Sequence, residues 1–321
     1  MREAAFIQRN KSRWEAYEKL VSNTGQARPD ELAELFIQVT DDLSFARTQY
    51  PSSRTTHYLN SLARKLHLEI YRNKKEQSNR FITFWTREVP LVVFEARRPM
   101  LVAAVIFIVA MIIGVVSTLY DDTFVRLILG DGYVNMTLEN IKEGNPTKVY
   151  SGSDALTMFI QIAWNNIMVS LRTFIFGVFY SVGSGLMLFY NGIMVGSFIT
   201  FMHKEQQLGQ ALPVIMLHGT IELTSIVIAG GSGFLLGNSL LFPGTYSRIV
   251  SFKMSARKGL KLIIGLLPFI VVAALIEGSL TRYAFMPWYF KLLIIGLSAL
   301  LMIYYFIVYP YRQYHARSSG N

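Results

Sequence analysis

Three ionisable side chains, His218, Glu222 and Glu277, lie within stretches of sequence that are apolar enough to cross a bilayer. Glu222 and Glu277 are the only acidic residues after Glu205. A carboxyl group in hydrocarbon is costly unless it is paired or protonated. His218 and Glu222 are four residues apart, so on a helix one side chain lies above the other. We therefore expect these two groups to meet each other and Glu277, which reaches them from a second helix.

Such a trio could act chemically in two ways. One imidazole and two carboxylates form a nitrogen-and-oxygen ligand set for a divalent metal, which could activate water for hydrolysis. The same groups could line the route of a transporter or channel, because intramembrane carboxyls commonly mark ion and proton pathways.

A third interpretation is structural: a buried polar cluster can hold helices together where lipid offers no hydrophobic drive between them. The sequence favours this interpretation, because a zinc peptidase helix carries two histidines with a glutamate and that pattern is absent here. We therefore predict no catalytic residue and no cofactor. A divalent metal at His218, Glu222 and Glu277 remains the alternative.

The composition defines the class of protein that must position these groups. Hydrophobic residues make up 52% of the 321 residues, and apolar runs of membrane-spanning length recur through the second two-thirds. The chain has no cysteine, which excludes disulfides and thiolate metal sites. The net charge of +10 would suit nucleic acid, but anionic headgroups suffice to explain it in a membrane protein. We predict an all-α polytopic membrane protein with lipids, and no nucleic acid, as partners.

The distribution of charge predicts the orientation. Residues 1–98 carry 17 basic against 12 acidic residues, whereas residues 121–154 carry three against six. Basic segments stay in the cytoplasm. Residues 1–98 and the tail 311–321 are therefore predicted to be cytoplasmic, and residues 121–154 to form an extracytoplasmic loop of the transmembrane domain 99–310.

About six spans are predicted within that domain. They are Met100–Tyr120, Ala155–Leu171, Thr173–Met202, Ala211–Gly237, Leu260–Leu280 and Tyr289–Tyr309. The second is weak, because Gln161, Asn165 and Asn166 make it amphipathic, and it could instead lie flat at the interface. In that alternative the following run doubles back at Gly183-Ser184-Gly185; with six spans, the chain turns near Arg172.

Residues 1–98 are predicted to form a cytoplasmic helical bundle followed by an interfacial helix. Apolar residues recur at helical spacing in three stretches: Phe6, Trp14, Tyr17 and Leu20; Leu35, Phe36, Val39 and Leu43; and Tyr58, Leu62, Leu66 and Ile70. The segment from Phe81 to Phe94 mixes aromatic residues with arginine, which is typical of a helix at a membrane surface. The alternative is that its aromatic residues pack on the bundle.

Small and polar residues add candidate sites to the transmembrane domain. Gly192 and Gly196, like Gly233 and Gly237, are spaced to lie on one helix face and allow close approach of a neighbouring helix, including one from a homodimer partner. The candidates for hydrogen bonding within the membrane are Asn165, Asn166 and Asn191. The glycine-rich stretches 183–185 and 230–233, with Gly230, are flexible enough to break a helix, which is the best sequence support for transport.

The motifs together resemble the stage II sporulation protein M-like membrane proteins along nearly the whole chain. The matching residues are Arg13-Trp14, Asp41-Asp42-Leu43, Tyr58-Leu59-Asn60, Asn191-Gly192 with Gly196, His218-Gly219-Thr220-Ile221-Glu222, Ala229-Gly230-Gly231 to Leu236-Gly237, and Ala273-Ala274-Leu275-Ile276-Glu277-Gly278. The resemblance implies a bacterial plasma-membrane protein, because the sporulation member of the family is a scaffold that gathers cell-wall-remodelling enzymes. This chain differs from the sporulation member by its long soluble amino-terminal region, so the resemblance does not imply the sporulation role itself.

The resulting functional expectation is a membrane scaffold that recruits other envelope proteins and is not an enzyme. In this hypothesis the amino-terminal bundle binds partners through exposed arginine and aromatic faces. The alternatives are a transporter or channel lined by His218, Glu222 and Glu277, and a metal-dependent intramembrane hydrolase that uses the same three residues.

Overall fold

A computed structural model describes residues 2–22, 29–72, 80–144, 155–280 and 286–318. These residues form helices and short connections, without a strand, which confirms the all-α fold class. The chain divides into two compact units, Met1–Arg80 and Phe81–Asn321. Of the predicted loop 121–154 and tail 311–321, residues 145–154 and 319–321 lie outside the described part.

The first unit contains the three predicted helices, α1 (Glu3–Ser22), α2 (Pro29–Gln49) and α3 (Arg54–Arg72). Their apolar stripes meet in one core, because residues at helical spacing face the same side of each helix. Its buried members are Phe6, Trp14, Tyr17, Val39, Leu43, Ala46, Leu59, Leu62, Ala63 and Leu66. The stripes identified in the sequence therefore form a hydrophobic core, apart from Leu20 and Ile70, whose side chains lie outside the described part.

Asp42 joins α1 to α2 at the edge of this core. Its Oδ2 accepts a hydrogen bond from Trp14 Nε1 at 2.8 Å and a charge-assisted one from Arg13 at 2.6 Å. A second link joins α2 to α3, where Arg47 donates to Asn60 at 2.8 Å. The first unit is thus held by polar contacts as well as by its core.

The segment that begins the second unit packs on the membrane helices. It comprises α4 (Arg80–Thr83), a π-helical turn (Phe84–Glu88) and α5 (Val89–Glu95). Its apolar side belongs to the largest core of the second unit, through the buried residues Val89, Val92 and Val93. Glu88 and Glu95 pair with Lys261 and Lys258, each at 2.7 Å.

The membrane half follows as a series of helices. They are α6 (Arg97–Tyr120), α7 (Phe124–Leu129), α8 (Asp131–Lys142), α9 (Ala155–Ile175), α10 (Val182–Lys204), α11 (Leu208–Leu241), α12 (Arg248–Leu275), α13 (Trp288–Ile303) and α14 (Tyr309–Ser318). Within the described residues, five helical stretches are long and apolar enough to span a membrane: Arg97–Tyr120, Val182–Lys204, Leu208–Leu241, Arg248–Ser279 and Trp288–Ala316. We call the end that carries Arg97, Arg98, Lys258 and Lys261 the basic end.

Helix α9, the weak second span of the sequence analysis, lies inside this bundle alongside α11 and α12. It runs parallel to α11, since Asn166 contacts Glu222 and, further along both helices, the Thr173 carbonyl oxygen would lie 2.9 Å from a Cβ atom on Gly233. The chain turns after α9 at residues 176–181, where Tyr180 and Ser181 adopt positive φ angles of 53° and 69°. The turn predicted near Arg172 therefore comes later, because α9 continues to Ile175.

Glycines bring α10 against α6. A Cβ atom on Gly192 would lie 2.6 Å from the Phe107 carbonyl oxygen, and one on Gly196 would collide with the Met111 carbonyl. Because both contacts advance along α6 and α10 in the same direction, these helices also run parallel. The face predicted to allow close helix approach is thus occupied within the chain, so a homodimer would have to use another surface.

The glycine-rich stretches do not break their helices. Residues 230–233 lie in the middle of α11, which is helical from Leu208 to Leu241, and residues 183–185 lie in the first turn of α10. A Cβ atom on Gly230 would lie 2.5 Å from Leu188 Cδ1, and one on Gly231 would lie 2.7 Å from Met100 Cγ. The helix break that these glycines could allow is therefore absent from α11, because they pack against neighbouring helices.

Replacing Gly196 with alanine should destabilise the protein by about 1–3 kcal/mol, because the added methyl group overpacks the interface between α6 and α10. The measurement is thermal unfolding in detergent. Gly296→Ala is the matched control, since a Cβ atom at Gly296 meets nothing within 4 Å. Equal effects of the two substitutions would contradict the close helix contact.

Candidate functional site

The structure brings His218, Glu222 and Glu277 together. His218 and Glu222 project from one face of α11, and Glu277 reaches them from the end of α12. His218 Nε2 lies 3.7 Å from Glu277 Oε2, and one ligand atom from each of the three residues lies within 4.8 Å of the others. His218 and Glu277 are only 4% and 9% exposed, so the cluster is buried in the bundle.

A π-helical turn, Ile276–Leu280, carries Glu277. Such turns add a residue to a helix and redirect its side chains, and they frequently occur at functional sites. The next residue, Gly278, faces the Phe159 backbone, with 3.2 Å between a Cβ at that position and the Phe159 Cα. The small residue thus lets α9 approach the same turn that presents Glu277.

Helix α9 contributes a fourth polar side chain. Asn166 Nδ2 donates a hydrogen bond to Glu222 Oε1. The amide neutralises no charge, but it gives the Glu222 carboxyl a hydrogen-bond donor from another helix. The cluster therefore joins α9, α11 and α12.

Helices α7 and α8 lie outside the spanning helices and pack on one end of the bundle. Val125 of α7 and Val134 of α8 pack on Met202, at the end of α10, and on Ala211, at the start of α11. On α8, burial raises the pKa of the Tyr133 phenol, a hydrogen bond with Thr137 lowers it, and the Glu277 carboxyl adds a smaller rise. The two short helices thus cover the end of the bundle that faces away from the basic end.

The arrangement fits two kinds of occupant. Two carboxylates this close repel each other in a medium of low dielectric constant, and a shared proton or a cation relieves that repulsion. Ligands about 2.1 Å from a tetrahedral metal ion are roughly 3.4 Å apart, which is near the separation of His218 and Glu277. The donor set of one imidazole and two carboxylates therefore suits a divalent ion, with Asn166 bonded to one of the carboxylates.

The other residues singled out in the sequence take packing roles. Asn191 donates to the Met187 carbonyl oxygen of its own helix at 2.8 Å. Gly192 and Gly196 contact α6, Gly230 contacts α10, and Gly237 contacts the turn after α9 at Gly177 and Ser181. The candidates therefore separate into a polar cluster of three residues and a set of helix contacts.

Sequence reasoning named Asn166 as a candidate for hydrogen bonding within the membrane but did not connect it to the three ionisable residues. Nothing local pairs it with Glu222, which lies 56 residues further along the chain. A polar residue in an otherwise apolar helix was the one available signal, and it pointed to α9 without naming its partner.

The fold and the cluster define a polytopic helical membrane protein with a buried polar centre. The chain belongs to the stage II sporulation protein M family, whose family model matches residues 103–282, from α6 through the π turn that carries Glu277. A second family model, a domain of unknown function (DUF8413), matches residues 4–72, which form α1 to α3. No curated protein and no solved structure matches the chain.

Replacing Asn166 with alanine should destabilise the bundle by about 1–2 kcal/mol, because Glu222 loses a hydrogen-bond donor in an apolar environment. Thermal unfolding in detergent measures the loss. The neighbouring Asn165→Ala substitution is the control, since Asn165 is exposed, and we expect it to change stability by less than about 0.5 kcal/mol. A similar loss in both variants would show that the contact with Glu222 does not stabilise the fold.

Proposed function

We propose that this protein is a membrane-embedded scaffold that recruits other envelope proteins. The observation that carries the proposal is the first unit: residues 1–80 form a compact body with its own hydrophobic core, joined to a membrane domain. A helical body of this kind, attached to a membrane anchor, suits protein binding. Membership of the stage II sporulation protein M family supports a link to cell-envelope remodelling.

A groove on the first unit offers a binding surface. It lies between α1 and α3 and has a volume of about 360 Å³. Its lining combines aromatic, basic and acidic side chains: Ile7, Lys11, Trp14, Glu15, Glu18, Arg54, Thr55 and Tyr58. Mixed aromatic and charged surfaces of this type are common where proteins bind each other. This groove is our candidate for the recruiting site.

The proposed orientation places the first unit, the basic end and the carboxyl terminus in the cytoplasm. Basic residues cluster at the start of α6 and of α12, as the positive-inside rule requires for that side. The parallel pairs α6 with α10 and α9 with α11 support six crossings, because each pair needs the intervening chain to return an odd number of times. Six crossings return the tail to the side of the first unit.

Within this scaffold the polar cluster has an architectural role. Contacts between His218 and Glu277 and between Asn166 and Glu222 join three helices where lipid cannot provide a hydrophobic drive. A rigid membrane domain would hold recruited partners at a fixed place. The cluster therefore serves the scaffold by keeping the domain in one arrangement.

Removing residues 1–80 should abolish binding of envelope partners while the membrane domain still inserts, because the second unit has its own core. Crosslinking in native membranes followed by mass spectrometry would compare the full chain with the shortened one. Arg54→Glu should weaken the same crosslinks, whereas Arg64→Glu, an exposed arginine on α3 outside the groove, should not. Unchanged crosslinks after removal of the unit would refute recruitment by it.

A divalent cation at the cluster is the second candidate, and the close spacing of the three ligand atoms supports it. The hydrolase alternative requires a bound metal ion, and a transporter of cations would use the same site. Glu222→Gln distinguishes the cases, because glutamine keeps the size of the side chain and an oxygen for Asn166 but lacks a ligand charge.

For an architectural cluster, His218→Ala should lower stability by about 2–4 kcal/mol, since it leaves a cavity and removes the neighbour of a buried carboxyl. Glu222→Gln should then stay folded and lose no metal. The metal content is measured by elemental analysis of the purified protein, and the stability by its melting temperature. Stoichiometric zinc in the natural sequence that disappears in a well-folded Glu222→Gln variant would replace the architectural role by a metal site.

A further inference from the structure

A groove of about 710 Å³ opens on the side of the bundle near the basic end. Three elements form it: the start of α6, the turn and first residues of α10, and the last third of α11. The lining residues are Arg98, Pro99, Val102, Ile106, Tyr180, Ser181, Val182, Gly185, Leu186, Phe189, Phe234 and Asn238. Its size lies within the range of small-molecule sites, roughly 300–1,000 Å³.

The groove changes character along its length. Arg98, Ser181 and Asn238 lie at the end where α6 begins, which is the level of the membrane interface. Ile106 and Phe189 lie further along their helices, about 12 Å deeper at the rise of an α-helix. A polar mouth followed by an apolar trough matches a molecule with a polar head and a hydrocarbon chain.

Gly185 forms part of the floor. A Cβ atom there would meet only the edge of the Phe234 ring, at 3.9 Å, whereas one on the nearby Gly183 would collide with the Phe176 carbonyl. Gly183 is therefore used for helix packing, whereas Gly185 leaves space in the groove. That space is continuous with the exposed apolar side chains of Val102 and Leu186, which are 52% and 60% exposed.

The mouth carries a cation that the described part of the chain does not neutralise. No acidic side chain among the described residues pairs with Arg98. The adjacent Arg97 is engaged: its guanidinium lies 4.2 Å from the centre of the Phe94 ring and donates to the Phe94 carbonyl oxygen at 2.8 Å. Asn238 accepts from Ser181 through Oδ1 at 3.3 Å, which leaves its Nδ2 hydrogens for another acceptor. The mouth thus presents a charge and donors for an anion.

We propose that this groove binds an anionic phospholipid, with the phosphate at Arg98 and Asn238 and one acyl chain against Val102, Leu186 and Phe234. A lipid supplies a counter-charge at the depth where Arg98 lies and hydrocarbon below it. An apolar helix from a second copy or from another protein would cover Arg98 without neutralising it, which is costly at a membrane interface. The inference is independent of the scaffold proposal, because it concerns only the membrane half.

The test is lipid binding to the full chain purified in detergent, followed by native mass spectrometry. The probes are dioleoyl phosphatidylglycerol and dioleoyl phosphatidylcholine, which differ in headgroup charge but share their acyl chains. Arg98→Gln should weaken phosphatidylglycerol binding about fivefold, the factor expected for one interfacial arginine. It should weaken phosphatidylcholine binding less, because the choline cation offsets the charge of the phosphate. The matched Arg97→Gln variant should change either affinity by less than about twofold, because its guanidinium is already engaged by Phe94.

Filling the trough tests the acyl-chain part. Gly185→Leu should reduce binding of both lipids, and Leu186→Trp, at an exposed position, narrows the same trough if the first variant fails to fold. Equal effects of Arg98→Gln and Arg97→Gln would overturn the headgroup assignment. A dimer that these trough variants dissociate would overturn the lipid and assign the groove to a second copy. Lipid binding that none of the variants changes would place the lipid elsewhere.

Discussion

Carboxyl groups inside a membrane domain must find a partner, and this requirement determines the centre of the structure. Glu222 and Glu277 come from different helices, and the positions of α9, α11 and α12 follow from satisfying both. The π turn at the end of α12 turns Glu277 toward His218, and Gly278 allows α9 to pass close enough for Asn166 to reach Glu222. One electrostatic constraint is thus met by four side chains and a local change of helix geometry.

Close packing by glycine makes these polar contacts feasible. Hydrogen bonds across helices need short distances between the helix axes, and bulky side chains would hold the helices apart. Gly177 against Gly233, and Gly192 and Gly196 against α6, remove that obstacle along two parallel helix pairs. Polar pairing within the cluster therefore depends on close glycine packing along the helix interfaces around it.

The sequence predicted the features that rest on periodicity and composition. The helical stripes around Trp14 and Leu62 and the apolar runs appear as helices, and His218, Glu222 and Glu277 meet as their positions suggested. The features that depend on packing between helices could not be predicted from the sequence. Gly230 and Gly231 could break a helix or pack against one, and only the presence of Leu188 and Met100 opposite them decides.

Helix α9 has a consequence for how the protein is made. It falls short of the apolar character of the five spanning stretches, and its polar Asn166 finds its acceptor on α11, which is synthesised later. During translation α9 emerges before that acceptor exists and is poorly suited to enter lipid by itself. In the six-crossing arrangement proposed above, α9 would enter the bilayer with α11, and segments would then settle in an order that differs from the order of their synthesis.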